Sequence, residues 1–121
     1  MVFNGEYKKD PDLQVKAVLE VEQCLRVIII GNYDKIFKMA QKSWKQNHSK
    51  IDIILPRYNE NFELQEIQFY SDVMLDAKVL FSSRLGTETK IIRFVAEKRK
   101  HKTDPKAPFR FNPSSMLRNN L

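Results

Sequence analysis

The sequence predicts an α+β domain, with helices in the first half packed on a curved antiparallel sheet made by the second half. Three observations lead there. Up to Trp44, apolar residues recur at three- and four-residue spacing, the period of a helix face. From residue 62 onward the period shortens to two, the period of a strand. Helices grouped before strands, and not alternating with them, exclude a parallel doubly wound sheet.

The first helix starts at Asp10-Pro11-Asp12. Asp10 suits the cap that accepts free N–H groups, Pro11 has the φ of the first helical position, and Asp12 faces the positive dipole end. Ala17, Val18, Val21, Cys24, Leu25 and Ile28 form its buried stripe. Val27-Ile28-Ile29-Ile30 widens that stripe, and Gly31 closes the helix. Asn32 caps a second helix whose inner face is Ile36, Phe37, Ala40 and Trp44, with lysines on the opposite side. Residues 1–10 read as a flexible lead-in, and 11–118 as one domain.

After a polar loop at 46–50, Ile51, Ile53, Ile54 and Leu55 form a short apolar element that fits either a strand or a helical turn. Leu64, Ile67 and Phe69 alternate imperfectly, which predicts a bulge near Gln65-Glu66. Val73, Leu75, Ala77, Val79 and Phe81 alternate cleanly with polar or mixed residues, giving the clearest strand. Arg84-Leu85-Gly86-Thr87 forms its hairpin turn. Ile92, Phe94 and Ala96 line one face of the next strand, and Phe109 and Phe111 form a last short one before a helical turn with Met116 and Leu117. Only the long helix has the length to cover the sheet, so the sheet should curl round it.

Composition excludes several functions. The chain has 121 residues, a size that buries a core without staples. The single cysteine, Cys24, forms no internal disulfide and no thiolate zinc site, and it reads as a packed thiol on the helix stripe. Three glycines leave no glycine-rich phosphate loop. His48 and His101 sit in lysine-rich polar stretches and read as solvated. No apolar run reaches the roughly 20 residues of a membrane span, and Met1-Val2-Phe3 does not open a signal peptide. The chain reads as soluble, and the sequence assigns no compartment. No catalytic, cofactor-binding or metal-binding residue stands out.

The net charge of +6 is concentrated. Lys98, Arg99, Lys100 and Lys102, with Lys106 and Arg110 beyond them, follow the last long strand. Lys35, Lys38, Lys42, Lys45 and Lys50 form a second series. The first group is a candidate patch for an anionic partner, whether nucleic acid, an anionic surface or an acidic protein. On the sheet, Met74, Leu80, Ile91 and Val95 fall opposite the clean apolar series. They are candidates for an interface, most simply with a second copy.

Two segments carry a family resemblance: IIIGNYDKIFKMAQKSW, with Gly31, Asn32, Tyr33 and Trp44, and FRFNPSSMLRN, with Phe111, Asn112, Pro113 and Ser114. Together with the layout over residues 11–118, they resemble the nuclear transport factor 2-like superfamily, also called cystatin-like. The resemblance implies a cone-shaped domain, often dimeric through its sheet. The closing segment looks most like bacterial secretion and conjugation assembly domains. The family's functions are diverse, so it says little about chemistry. The expectation is a non-catalytic binding or assembly module that oligomerises through its sheet. The first alternative is a small-molecule-binding or isomerase- or cyclase-like enzyme with an Asp, His or Tyr in the cone, for which Asp52, Asp76, Lys78, Tyr33 and Tyr58 are the groups at hand. The second is a basic nucleic-acid-binding module.

Overall fold

The computed structural model describes residues 1–117. The expected domain end at residue 118 lies just outside them. Helix α1 runs Pro11–Ile30, α2 Tyr33–Met39 and α3 Lys42–Lys45, followed by strands β2 Asn61–Phe69, β3 Met74–Ser83, β4 Gly86–Ala96 and β5 Phe109–Phe111; β1, Val2–Gly5, precedes α1. The strands lie in the order β1-β2-β3-β4-β5 in one sheet.

The start of α1 is built as the sequence dictates. The Asp10 carboxylate accepts the N–H groups of Asp12 and Leu13 at 3.1 and 3.2 Å. Gly31, with φ 76°, ends the helix in the left-handed conformation, and its N–H reaches the Ile28 and Val27 carbonyls. Leu13, Ala17, Val21, Cys24, Leu25 and Ile28 are the buried stripe; Val18 is only half-buried.

Opposite the stripe lie Leu75, Ala77, Val79 and Phe81 of β3, all fully buried. Across from them β4 presents Phe94, Ile92, Lys90 and Glu88, and β2 presents Phe69, Ile67, Leu64 and Phe62. The register slips between Leu64 and Glu66, so the bulge falls at Gln65. The β3–β4 connection is the tight turn Arg84-Leu85, with Ser83 opposite Gly86. Each large apolar side chain taken out of water on this face contributes about 1.5–3 kcal/mol, and together they set which sheet face turns inward.

Two features differ from expectation. The lead-in is not structureless: Val2–Gly5 pairs with Glu66–Phe69, and in parallel, so the sheet is mixed and not purely antiparallel. Phe3 stacks on Phe69 with ring centroids 6.1 Å apart, which gives this short strand an apolar anchor. The second helix is also split. At Ala40 the chain extends (ψ 156°), forms a parallel bridge to Phe111, and Gln41 donates its N–H to the Phe111 carbonyl at 2.9 Å. The helical period ran unbroken through this segment, but a long-range pairing with β5 outweighed it.

Residues 50–52 form a single 3-10 turn, after which Ile53 is buried while Ile51 and Ile54 face solvent. A 3-10 helix, Pro113–Leu117, packs on β4 and buries Met116. Trp44 completes this corner, its indole N–H donating to Ser114 Oγ at 2.9 Å.

Candidate functional site

The basic segment after β4 folds back on itself. Glu97 bridges Thr103, and Lys98 donates its N–H to the Lys102 carbonyl at 2.7 Å. Lys100 and His101 take positive φ, 62° and 63°, to close this loop. The returning chain, 104–108, runs beside the N-terminal half of α1: Lys16 Nζ donates to the Ala107 carbonyl at 2.7 Å, and Glu20 accepts the Phe109 N–H at 2.7 Å. Lys16 also lies 4.0 Å from the Phe109 ring centre.

This folding opens a surface depression of about 420 Å³ lined by Lys42, Glu97, Lys98, Arg99, Asp104, Lys106, Ala107, Pro108 and Arg110. Five cations therefore share it with two carboxylates. Lys42 belongs to the other lysine series, and the split of the second helix brings it here. Glu97 is the hinge of the arrangement. Its carboxylate is only 5% exposed as a residue, and it accepts the Lys42 N–H at the start of α3. Arg110 reaches across to the Lys38 carbonyl at 2.7 Å, and its Nε is buried without a protein partner.

The electrostatics follow from this crowding. Lys45 has its ammonium pKa lowered, first by partial burial and then by Arg110 and Lys42 nearby. Asp104 is held below the usual carboxylate range, first by the Lys106 N–H and further by Lys98, whose Nζ is 3.6 Å away. The depression is thus a net cationic surface with fixed acceptors in it.

Of the four patch residues named from the sequence, Lys98 and Arg99 line the depression. Lys100 and Lys102 stand exposed on the loop beside it. Sequence reasoning noted Lys106, Arg110 and Lys42 as charged, but it had no means of joining them to the patch. His101 is exposed, with its Nε2 2.7 Å from the Gln46 side-chain nitrogen and its Nδ1 4.0 Å from Glu97. His48 stacks on Trp44, ring centres 4.3 Å apart.

The sheet candidates lie on the outer face, all half-exposed. Met74 faces Val95 directly, but Leu80 faces Thr89 and Ile91 faces Lys78. Between the two apolar groups stands a polar cluster. Arg93 donates to both Asp76 oxygens at 2.9 and 3.0 Å, and the Tyr70 hydroxyl donates to Asp76 Oδ2 at 2.9 Å. The Asp76–Arg93 pair therefore separates Met74 and Val95 from Leu80 and Ile91 on this face.

Asp76 and Lys78 thus face away from α1, and neither lines the inside of the sheet. Tyr33 and Asp52 are exposed, and Asp52 accepts the Ser49 N–H at 2.8 Å. Tyr58 covers Gly86, where an added Cβ would stand 2.9 Å from its ring. The ionisable pair that does face inward was missed: Lys90 Nζ lies 3.5 Å from Glu88 Oε2, both largely buried, with the Arg57 N–H on Glu88 at 2.6 Å. Counting back by twos from Ile92 reaches both residues, so the strand period carried that signal. Among the described residues, no three His, Cys, Asp or Glu side chains gather as metal ligands. No described helix is long and apolar enough to cross a membrane.

No family model, curated protein or solved structure matches this chain. The nuclear transport factor 2-like likeness accordingly stays a resemblance.

Proposed function

We propose that this domain is a non-catalytic binding module that holds an acidic protein surface in the basic depression beside α3. The observation that carries this reading is the convergence of Lys42, Lys98, Arg99, Lys106 and Arg110 from three separate segments round one concavity. The two carboxylates in the lining favour an acidic protein over nucleic acid. Glu97 and Asp104 would repel a continuous phosphate backbone, whereas a protein surface can place N–H and hydroxyl donors against them. Stacking platforms for bases are also lacking at the lining, since Phe109 and Phe111 are buried in the core.

The test is a titration of fluorescent poly-glutamate and, separately, of a duplex DNA, each in rising sodium chloride. Poly-glutamate should bind, weaken as salt rises, and outcompete DNA of equal charge. DNA binding tighter than poly-glutamate would favour the nucleic-acid reading, and binding of neither would remove both.

A second reading, self-association through the outer sheet face, has the facing Met74–Val95 pair in its favour. It predicts a dimer in light scattering that Met74→Lys converts to monomer. A parent chain that is monomeric at high concentration counts against it.

A further inference from the structure

At the opposite end from the basic depression, three parts of the chain meet. Helix α1 finishes there, with the Ile28 carbonyl accepting the Asn59 side-chain N–H at 2.8 Å. The 3-10 turn Lys50–Asp52 is tied to the start of α2 by Lys50 Nζ on Asp34 at 2.9 Å. The segment between them and β2 then runs to the β3–β4 hairpin, where Arg57 bonds Glu88 and Tyr58 covers Gly86. Five large apolar side chains are exposed on these parts: Ile30, Tyr33, Ile51, Ile54 and Leu85. Ile30, Ile51 and Leu85 are 75, 84 and 86% exposed, at a helix end, a turn and a hairpin tip. Tyr33 and Ile51 share a shallow depression of about 410 Å³.

Charge surrounds this apolar end with one excess sign. Arg26 lies one helical turn before Ile30, Lys35 two residues after Tyr33, Arg57 three residues after Ile54, and Arg84 directly before Leu85; all four are exposed. Among the described residues none of these four side chains forms a salt bridge, whereas the local acids are engaged: Asp34 by Lys50, Asp52 by the Ser49 N–H, and Glu88 by Lys90 and the Arg57 N–H. Glu60, and Glu22 one turn before Arg26, are the exceptions.

We propose that this end docks on the surface of a bilayer carrying anionic headgroups, with Ile51 and Leu85 entering the interfacial layer. Two features point to a lipid surface and not to a protein groove. The apolar groups project singly from separate tips, which a fluid interface accepts without needing matched holes. The cations stand around them, where their long stems reach back to headgroup phosphates while their neighbours insert. The ring of cations selects an anionic surface as the partner.

The experiment is co-sedimentation of the full chain with phosphatidylcholine vesicles, with and without phosphatidylserine. The parent should sediment with the serine-containing vesicles and remain in solution with the others. Ile51→Asn and Leu85→Asn should each weaken binding about tenfold or more, because each removes one inserting apolar side chain. Both positions are exposed, so circular dichroism should be unchanged. Lys98→Glu with Arg99→Glu, at the other end, should leave vesicle binding intact. A parent that stays in solution with both vesicles overturns the proposal, as do tip variants that bind like the parent. Loss of binding only in the Lys98/Arg99 variant would overturn it too, by moving lipid contact to the basic depression.

Discussion

The Glu97 carboxylate accepts the backbone N–H of Lys42, across 55 positions of sequence. This bond joins the end of β4 to the first residue of α3, and so fixes one wall of the basic depression to its floor. A carboxylate on the first N–H of a helix also meets the positive end of its peptide dipoles.

Glu97 therefore has two separable effects. Glu97→Ala removes the acceptor and leaves the part-buried Lys42 N–H unpaired, a loss of about 1–3 kcal/mol in urea unfolding. Glu97→Gln keeps a carbonyl oxygen for the Lys42 N–H and should cost less. It also removes a negative charge among five cations, so its affinity for poly-glutamate should rise while its stability changes little. Equal stability losses in the two variants would contradict this role.

Much of the fold was legible because local chemistry and tertiary packing agree. Asp10, Gly31 and the β3 alternation each demand what the structure shows. The parts that were not legible depend on partners distant in sequence. β1 exists because Phe3 finds Phe69, and the break at Ala40 exists because β5 lies beside it. The site follows the same division. The charges of Lys98 and Arg99 were visible, but their union with Lys42 and Lys106 required the loop to fold back. Met74, Leu80, Ile91 and Val95 were legible as sharing one face, but the Asp76–Arg93 pairing that separates them depends on the β3–β4 register.

Two glycines should respond unequally to alanine. At Gly5, φ is 98° and an added Cβ would stand 2.1 Å from the Phe69 carbonyl oxygen. At Gly31, φ is 76° but nothing lies within 4 Å. Gly31→Ala should cost only the left-handed backbone term, about 1–2 kcal/mol. Gly5→Ala should cost more, and hydrogen exchange should show β1 released from β2.

Burial pushes the Cys24 thiol far above its ordinary pKa of 9.0. The folded state keeps the proton that the unfolded chain gives up, so this group's contribution is complete below the unfolded value and declines as pH rises past it. The gap in unfolding free energy between the parent and Cys24→Ala should therefore narrow from neutral to alkaline pH. The native thiol should also resist aromatic disulfide reagents until urea unfolds the chain.

The Tyr70 hydroxyl is raised above its usual range, first by its hydrogen bond to Asp76, then by burial and the nearby charge of Asp76. Its stabilising effect is present below the unfolded tyrosine value and is lost as pH climbs through the folded one. Phenolate absorbance should show one tyrosine titrating late, and Asp76→Asn should bring it back down. Because Arg93 is 43% exposed, the Asp76–Arg93 pair itself should add no more than about 1 kcal/mol in a double-mutant cycle.

In the proposed binding site position and not total charge governs affinity, and equal charge changes at two places test this. Lys98→Glu, Arg99→Glu and Lys106→Glu together should weaken poly-glutamate binding about tenfold or more, measured by fluorescence anisotropy at low salt. Charge reversal of Lys8, Lys9 and Lys78, which lie outside the depression lining, should weaken it far less. Equal losses from the two triple variants would show that the chain attracts anions only through its net charge, and would contradict a built site beside α3.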